Sequence, residues 1–323
     1  MSKGWAWMKR TQFYFHGNDQ TKINAYRWEN EENNEIQGIV QLAHGMGEHI
    51  LRYEHFCTFL VDHGFIVYGN DHRGHGETIK APDDRGFFSE KNGFEKVVND
   101  MKQLTDIAME EHPHLPVFLF GHSLGSFLAR RYIQLYGQLI HGVILSGTGG
   151  DKGIVGKAGL LLAKWERKRK GPRTPSLLLD TLTFGSFNKN FVPVRTDFDF
   201  LTRDETIVDA YIEDKKCGFV CTTGFFIDLI HGIDLIHRPT EWKKTPKLLP
   251  IFLIAGEQDP VGNNGIAVED LYEQFQRHGY EQVSFKLYED ARHEILNELN
   301  KEEVYEDILR WIQVVLKGGD YSD

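Results

Sequence analysis

One serine in this chain has the neighbours that nucleophilic chemistry requires. Ser123 lies at the centre of Gly121-His122-Ser123-Leu124-Gly125, after the apolar run 117–120 and before a helical pattern over 126–133. Glycines two positions either side of a serine allow a strand and a helix to approach closely, which pushes the serine oxygen into a cleft. A glycine-rich turn without chemistry would have the same five residues, so the prediction depends on whether Ser123 has partners.

A serine hydroxyl is a poor nucleophile and needs a histidine base. The pattern around Ser123 resembles the nucleophile elbow of α/β-hydrolases, in which an acid and then the histidine follow the serine along the chain. If the acid lies after the predicted strand 248–255, His278 and His293 are the two histidines that come late enough. We favour His293, in the loop after the last predicted strand, because a histidine at a helix end such as His278 is commonly a solvated residue.

The orienting acid is predicted from its place at the end of a strand. Asp259 follows the apolar run 251–255, and Pro260 restricts the turn that would present its side chain. Glu257 and Asp290 are alternatives, because one lies nearer the strand and the other lies three residues before His293. We favour Asp259 because it matches the strand-end turn best.

Acyl transfer also needs two donors for the developing oxyanion. The first is usually the backbone N–H of the residue after the nucleophile, here Leu124, and the second comes from the loop after an early strand. The glycine-rich loop 44–47 occupies that place, and we predict that Met46 N–H is the second donor. A simple glycine turn between strand and helix is the alternative for this loop.

A second loop combines an aspartate with two histidines, which are common metal ligands. Asp71, His72 and His75 lie within the glycine-containing stretch 71–76 at a strand end. A zinc site needs three or four ligands aimed at one point, and this spacing does not indicate one. We predict that the loop shapes the cleft, and that the enzyme uses no metal and no cofactor.

The elements that must position these residues alternate between strands and helices, with one long interruption. Predicted strands cover 11–15, 22–28, 36–43, 65–69, 115–120, 141–146, 248–255 and 283–288. Predicted helices cover 52–62, 94–109, 126–133 and 268–277, and a final helix places Val304, Ile308, Trp311, Ile312 and Val315 on one stripe. Between 149 and 237, apolar segments broken by glycine and proline indicate inserted helices.

This order of elements predicts an α/β fold with a doubly wound, mostly parallel sheet and a helical cap. We expect residues 1–148 to form the first part of the core, 149–237 the cap or lid, and 238–323 the second part of the core. The predicted site residues then all follow strands at one edge of the sheet.

Composition excludes some partners. Lys+Arg 37 against Asp+Glu 47 gives a net charge of -10, which argues against nucleic acid as a partner.

Three cysteines without a CxxC spacing, and no signal segment, predict a reducing, cytoplasmic setting. No apolar run approaches the ~20 residues that span a bilayer, so we expect membrane contact to be peripheral, at the inner face. The Trp-containing segment 1–10 could sit at a lipid interface or pack on the first strands.

Five motifs in order resemble the monoacylglycerol lipase and lysophospholipase group of the α/β-hydrolase superfamily, which is filed near the S33-type serine aminopeptidases. They lie at 44–49, 71–76, 121–125, 256–261 and 292–298. The resemblance implies the α/β-hydrolase fold, a triad of Ser123, Asp259 and His293, and an oxyanion hole formed by the Met46 and Leu124 amides.

Two further positions bear on the resemblance. Animal monoacylglycerol lipases carry a second histidine three residues after the catalytic one, and this chain has Leu296 there. Glu48 and Arg52 match family positions near the oxyanion loop, where they could form a structural ion pair, orient the loop or contact substrate.

The predicted function is hydrolysis of carboxylic esters of monoacyl lipids, either lysophospholipids or monoacylglycerols, through an acyl-enzyme. In the cap, apolar residues precede a basic run at 166–170 and Arg173. These apolar residues are Ile154, Val155, Leu160, Leu161, Leu162 and Trp165. Such a lid suits transient contact with an anionic membrane, although apolar residues packed inside the cap would give the same pattern. A short-chain carboxylesterase and, less well supported, a thioesterase, a peptidase or a non-catalytic binding module are the alternatives.

Overall fold

In the part of the chain that the structure describes, eight strands form one central sheet. The computed structural model describes residues 8–33, 35–151 and 153–319, without the side chain of Ile154. The strands are β1 (Lys9–His16), β2 (Lys22–Glu29), β3 (Gly38–Ala43), β4 (Phe65–Asn70), β5 (Val117–His122), β6 (Gly142–Ser146), β7 (Ile251–Gly256) and β8 (Val283–Tyr288). Their order is β1-β2-β4-β3-β5-β6-β7-β8. The β1–β2 and β2–β4 pairs are antiparallel and the others are parallel, which confirms the predicted mostly parallel sheet.

Core helices cover both faces of the sheet. They are α1 (Glu54–Asp62), α2 (Gly93–Glu111), α3 (Leu124–Tyr136), α9 (Ile266–Arg277) and α10 (Lys301–Leu316). Successive strand residues point to opposite faces, so Leu119 belongs to the apolar cluster that includes α2, α3 and α9, while Phe118 packs against Trp311 of α10 and Phe120 against Phe56 of α1. Both faces of the central strands β3 to β7 are therefore buried, which explains their apolar runs. The edge strand β8 is half-buried over residues 283–287.

Helices alone make up the named elements between β6 and β7 in the described part of the chain. They are α4 (Gly153–Lys170), α5 (Leu177–Phe184), α6 (Glu205–Glu213), α7 (Thr223–Ile236) and α8 (Pro239–Trp242), with a 3₁₀ turn at Phe187–Asn190. The predicted helical insertion is confirmed. Phe225 and Phe226 of α7 belong to the apolar cluster of the main core, so the cap is anchored at its carboxyl end. The division at residues 149 and 237 stays a prediction.

Most predicted elements are confirmed, and their ends differ in ways that burial explains. The strand predicted from residue 248 begins at Ile251, because Leu248 is 72% exposed and lies before the sheet. The helix predicted from residue 52 begins as a 3₁₀ turn, Ile50–Tyr53, before α1. The stripe predicted for α10 packs as expected, with Val315 half-buried at its end.

The amino-terminal segment was expected to lie at a lipid interface or on the first strands. Residues 1–7 lie outside the described residues. Met8 packs beside α1, where Thr58 Oγ1 lies 3.3 Å from its Sδ. No helix in the described ranges is both long enough and apolar enough to cross a membrane.

Candidate active site

Ser123 lies at a tight turn between β5 and α3. Its φ of 52° and ψ of −115° form a backbone conformation that residues other than glycine rarely adopt. A Cβ on Gly125 would lie 2.0 Å from Ala43 O, and a Cβ on Gly121 would lie 2.4 Å from Gly125 O. The close approach of strand and helix therefore requires both glycines. Ser123 N donates to Ser146 O at 2.9 Å, which ties the turn to β6.

Asp259 follows β7, and His293 follows β8. His293 Nδ1 donates to Asp259 Oδ1 at 2.9 Å, and Val261 N donates to the same oxygen at 2.9 Å. Both side chains are buried, so the carboxylate holds the imidazole in one orientation. Burial lowers the pKa of His293, but the carboxylates of Asp259, Glu294 and Glu48 together raise it by more, and the resulting pKa lies above the ordinary value.

His293 lies beside the turn that carries Ser123. The rings of His122 and His293 are 4.6 Å apart. A Cβ on Gly147 would lie 3.0 Å from the His293 ring, so this glycine leaves room for the imidazole. Within residues 8–33, 35–151 and 153–319, no hydrogen bond joins Ser123 Oγ to His293, a contact that commonly tightens when substrate binds.

The loop after β3 lies against the serine. A Cβ on Gly45 would be 3.4 Å from Ser123 Cβ. Gly45 N donates to Glu48 Oε1 at 2.5 Å, and Gly47 N donates to His75 Nε2 at 3.2 Å. The amide of Met46, between them, has no acceptor among the described residues, and this leaves it available to a substrate oxygen.

The other predicted donor is Leu124, the first residue of α3. The first amides of a helix have no partner within the helix. The structure holds no acceptor for Leu124 N in the part of the chain that it describes. The positive end of the α3 dipole also favours an anion at this position.

A buried ion-pair network links the loop to the residue after His293. Arg52 donates to Glu48 Oε2 at 2.6 Å and to both oxygens of Glu294 at 2.5 and 2.7 Å. Burial raises the pKa of Glu294, but Arg52, with His122 and Asn297, lowers it by more, to about 2. Of the roles considered for Glu48 and Arg52, these contacts fit the ion pair and the orientation of the loop. Glu294 lies within the motif 292–298, but its residue type and spacing predicted no role for it.

The loop 71–76 supports the oxyanion loop from behind. His72 N donates to His44 Nε2 at 2.9 Å, and the two rings are 4.1 Å apart. Burial lowers the pKa of His72 to about 3 and that of His75 to about 4, so both are neutral near pH 7. His72 Nε2 and both ring nitrogens of His75 bond to backbone groups, as expected of a loop that shapes the cleft.

Part of the cap pairs directly with the loop that carries His293. His293 N donates to Phe200 O at 3.2 Å, and Glu294 N donates to Leu201 O at 2.6 Å. The rings of Phe200 and His293 lie 6.1 Å apart. The cap segment 198–203 therefore forms one wall of the site.

Glu298 joins the same two segments and is fully buried. Its carboxylate accepts from Arg203 Nε at 2.8 Å and from Arg292 N at 2.9 Å. Arg292 Nη1 in turn donates to Asp199 O at 2.5 Å. Nothing in the spacing of these residues indicated the contact, since Arg203 and Glu298 are 95 positions apart.

The alternative residues lie outside this arrangement. His278 is exposed at the end of α9, and its Nδ1 contacts Gln274 O at 2.7 Å. Glu257 and Asp290 are exposed, and Asp290 accepts from Gln258. None of the three contacts His293 or Ser123 within the described ranges.

Two cavities of about 460 and 440 Å³ lie elsewhere on the molecule. The first lies between the β1–β2 turn and the cap, and the second lies beside α2 and α7. Neither is lined by Ser123, Asp259 or His293. We place the chemistry at the strand ends because the polar groups converge there.

The fold and the strand-end arrangement define the class of α/β-hydrolases. The chain belongs to the family described as serine aminopeptidase, S33, whose sequence profile matches residues 34–300.

Individual relatives agree with this family. The chain is 28% identical to a monoglyceride lipase of Homo sapiens over 290 residues, which cover 85% of this chain and 82% of the human protein. It is 26% identical to a monoacylglycerol lipase of Mycolicibacterium smegmatis over 279 residues, with coverage of 85% and 88%. A thermostable carboxyl esterase from Bacillus coagulans superposes with a TM-score of 0.86 at 29% identity, covering 95% of this chain and 99% of the esterase. The chain is therefore an α/β-hydrolase of the monoacylglycerol lipase-like group.

Proposed function

We propose that this protein hydrolyses carboxylic esters of monoacyl lipids, with Ser123 as nucleophile, His293 as base and Asp259 as the orienting acid. The observation that carries the proposal is the buried hydrogen bond from His293 Nδ1 to Asp259 Oδ1, at 2.9 Å, beside a serine on a left-handed turn. Relatives named as lipases and a carboxyl esterase support the ester-hydrolase class.

The reaction proceeds in two acyl-transfer steps. Ser123 Oγ attacks the ester carbonyl while His293 Nε2 takes its proton, and the amides of Met46 and Leu124 hold the oxyanion. His293 then protonates the leaving alcohol, and the acyl group remains on Ser123. Water activated by the same imidazole releases the fatty acid and regenerates the serine.

Replacing the nucleophile tests this mechanism. Ser123→Ala should lower kcat by several orders of magnitude, by about 10⁶-fold in comparable triads. Turnover of a monoacylglycerol by the purified variant measures the loss. Ser284→Ala is the matched control, because this β8 serine has no hydrogen-bond partner in the structure's described ranges. Near-normal activity of Ser123→Ala would refute the mechanism.

The alcohol part of the substrate is either the glycerol of a monoacylglycerol or the head group of a lysophospholipid. Leu296, at the place of the second histidine of animal monoacylglycerol lipases, is buried against α10 and offers no polar side chain to glycerol. Parallel assays of monoacylglycerols and lysophospholipids with equal acyl chains would separate the two substrates. A ratio of kcat/KM near one would mean that the alcohol is not selected.

A short-chain carboxylesterase is the second candidate, and the similarity to a carboxyl esterase favours it. Nitrophenyl esters of increasing chain length distinguish the candidates. A lipid hydrolase should prefer long acyl chains, whereas a maximum at two to four carbons would support the short-chain enzyme.

The cap carries the features of a membrane-contacting surface, and we propose that it binds anionic lipid transiently. Val155, Leu161 and Trp165 on α4 are 78%, 71% and 51% exposed. Lys168 and Arg169 are exposed on the same helix, and the Arg169 guanidinium lies 4.7 Å from the centre of the Trp165 ring. Exposed apolar side chains beside cations suit a bilayer interface.

A further inference from the structure

Three side chains that can bind a metal meet where the cap contacts the oxyanion loop. His49 follows that loop, and Asp214 and Cys217 follow α6 in the cap. One ligand atom of each, a histidine nitrogen, a carboxylate oxygen and the thiol sulfur, all lie within 4.8 Å of one another. His49 Nε2 and Asp214 Oδ2 are 2.8 Å apart. We propose that His49, Asp214 and Cys217 bind a zinc ion.

The local backbone presents the two cap ligands together. Cys217 N donates to Asp214 O at 2.9 Å, which closes a turn, and two residues separate the ligands. Spacings of two to four residues are typical of zinc ligand pairs. Lys216 N donates a hydrogen bond to Asp214 Oδ1 at 2.8 Å, and the other carboxylate oxygen, Oδ2, faces His49.

The donor set selects the kind of metal. Imidazole, carboxylate and thiolate together suit Zn²⁺, whereas Ca²⁺ and Mg²⁺ prefer oxygen ligands alone. Tetrahedral zinc needs neighbouring ligand atoms roughly 3.3 to 3.6 Å apart, from bond lengths of about 2.0 to 2.3 Å. The His49–Asp214 pair must therefore open by about half an ångström and the sulfur must move inward. Water completes the fourth position.

The surrounding charge favours a cation. Arg52 and the carboxylates of Glu48, Glu294 and Asp214 face Cys217, and the Lys216 ammonium also acts on Asp214. These five groups carry a net charge of −1. Burial raises the pKa of the Cys217 thiol, so the free thiol keeps its proton. When zinc binds, the S–H bond breaks, a Zn–S bond forms and the proton passes to water. The proton between His49 Nε2 and Asp214 Oδ2 moves to His49 Nδ1, so that a Zn–N and a Zn–O bond replace this hydrogen bond.

Binding would fasten the cap to the oxyanion loop. Gly218 N and Tyr211 Oη both donate to Gly47 O, each at 2.9 Å. A metal on Asp214 and Cys217 holds the segment that makes these contacts. The sequence predicted no metal. Its local spacing could not indicate a ligand set of His49, Asp214 and Cys217, because His49 and Asp214 are 165 positions apart.

The test uses the full chain as Ser123→Ala, so that its outcome does not depend on the proposed function. Reduced, chelator-treated protein is titrated with Zn²⁺ against a chromophoric chelator, and with Co²⁺ to record the thiolate-to-cobalt charge-transfer band. We expect one ion per chain and a thiolate band. Cys217→Ser should abolish the band, and Asp214→Asn should weaken zinc binding by about tenfold or more. Cys221→Ser, at another buried cysteine, is the control and should keep both signals.

Thermal unfolding provides a second test that does not depend on the Cys217→Ser variant being well folded. Zinc should raise the thermal midpoint of the Ser123→Ala protein, and Asp214→Asn should remove that rise. A thiolate band that survives Cys217→Ser, or the lack of any stoichiometric binding and of any zinc-dependent rise, would overturn the proposal.

Discussion

At the scale of single residues, the pKa of the proposed base, His293, depends on more than one carboxylate. Asp259 contacts His293 directly, while Glu294 and Glu48 also raise the pKa of the imidazole. The positions of Ser123, Asp259 and His293 at one edge of the sheet could be predicted because each follows an apolar strand, and their catalytic roles stay a proposal. Glu294 could not, because its role depends on Arg52, which lies 242 positions away.

The pH dependence of activity tests this view of His293. The imidazole must be neutral to take the proton from Ser123, so kcat/KM should rise as pH passes upward through its pKa. Glu294→Gln removes one of the carboxylates that raise this pKa and keeps an oxygen for Arg52. The acid limb should therefore move to lower pH.

Glu257→Gln is the control for this experiment, because that carboxylate is exposed and does not act on His293. An acid limb that stays in place, or moves to higher pH, in Glu294→Gln would contradict the electrostatic account.

At the scale of elements, the cap is part of the site and not only a cover. Sequence patterns identified the cap as helical but left its contacts open, because irregular segments have no periodicity to interpret. The structure shows that segment 198–203 pairs with the histidine loop through Phe200 and Leu201. The ion pair between half-buried Arg203 and fully buried Glu298 closes the same contact.

Breaking that pair should disturb catalysis more than binding. Arg203→Met leaves the buried Glu298 carboxylate without its cation, and misplacement of the His293 loop should lower kcat by about tenfold or more with little change in KM. Arg203→Lys should restore part of the rate. Steady-state kinetics on a soluble ester measure both values.

Arg195→Met is the matched control within the cap, because the pair of Arg195 and Asp209 is exposed and contributes little. Unchanged kcat in Arg203→Met would show that the cap segment does not position the histidine.

At the scale of the whole molecule, hydrophobic patterns predicted the doubly wound, mostly parallel sheet, since the central strands are buried on both faces. The orientation of cap side chains did not follow, because an apolar run predicts burial and exposure equally well. Val155, Leu161 and Trp165 are exposed, so at these positions the apolar side chains do not pack inside the cap. The apolar surface beside Lys168 and Arg169 is therefore open to solvent.

Vesicle sedimentation tests the membrane proposal. The protein should co-sediment with anionic vesicles, and more weakly at high salt. Reversing the charges of Arg167 to Lys170 should abolish this binding. Reversal at Arg277 and Arg310, exposed on α9 and α10, should leave it intact. Equal losses in both variants would contradict docking through the cap.

The identity of the nucleophile is the central claim, and covalent labelling tests it most directly. A fluorophosphonate reacts with an activated serine, and peptide mapping locates the adduct. We predict one adduct per chain on Ser123, none in Ser123→Ala, and greatly slowed labelling in His293→Ala. Stoichiometric labelling at another residue, or undiminished labelling of Ser123→Ala, would contradict the account.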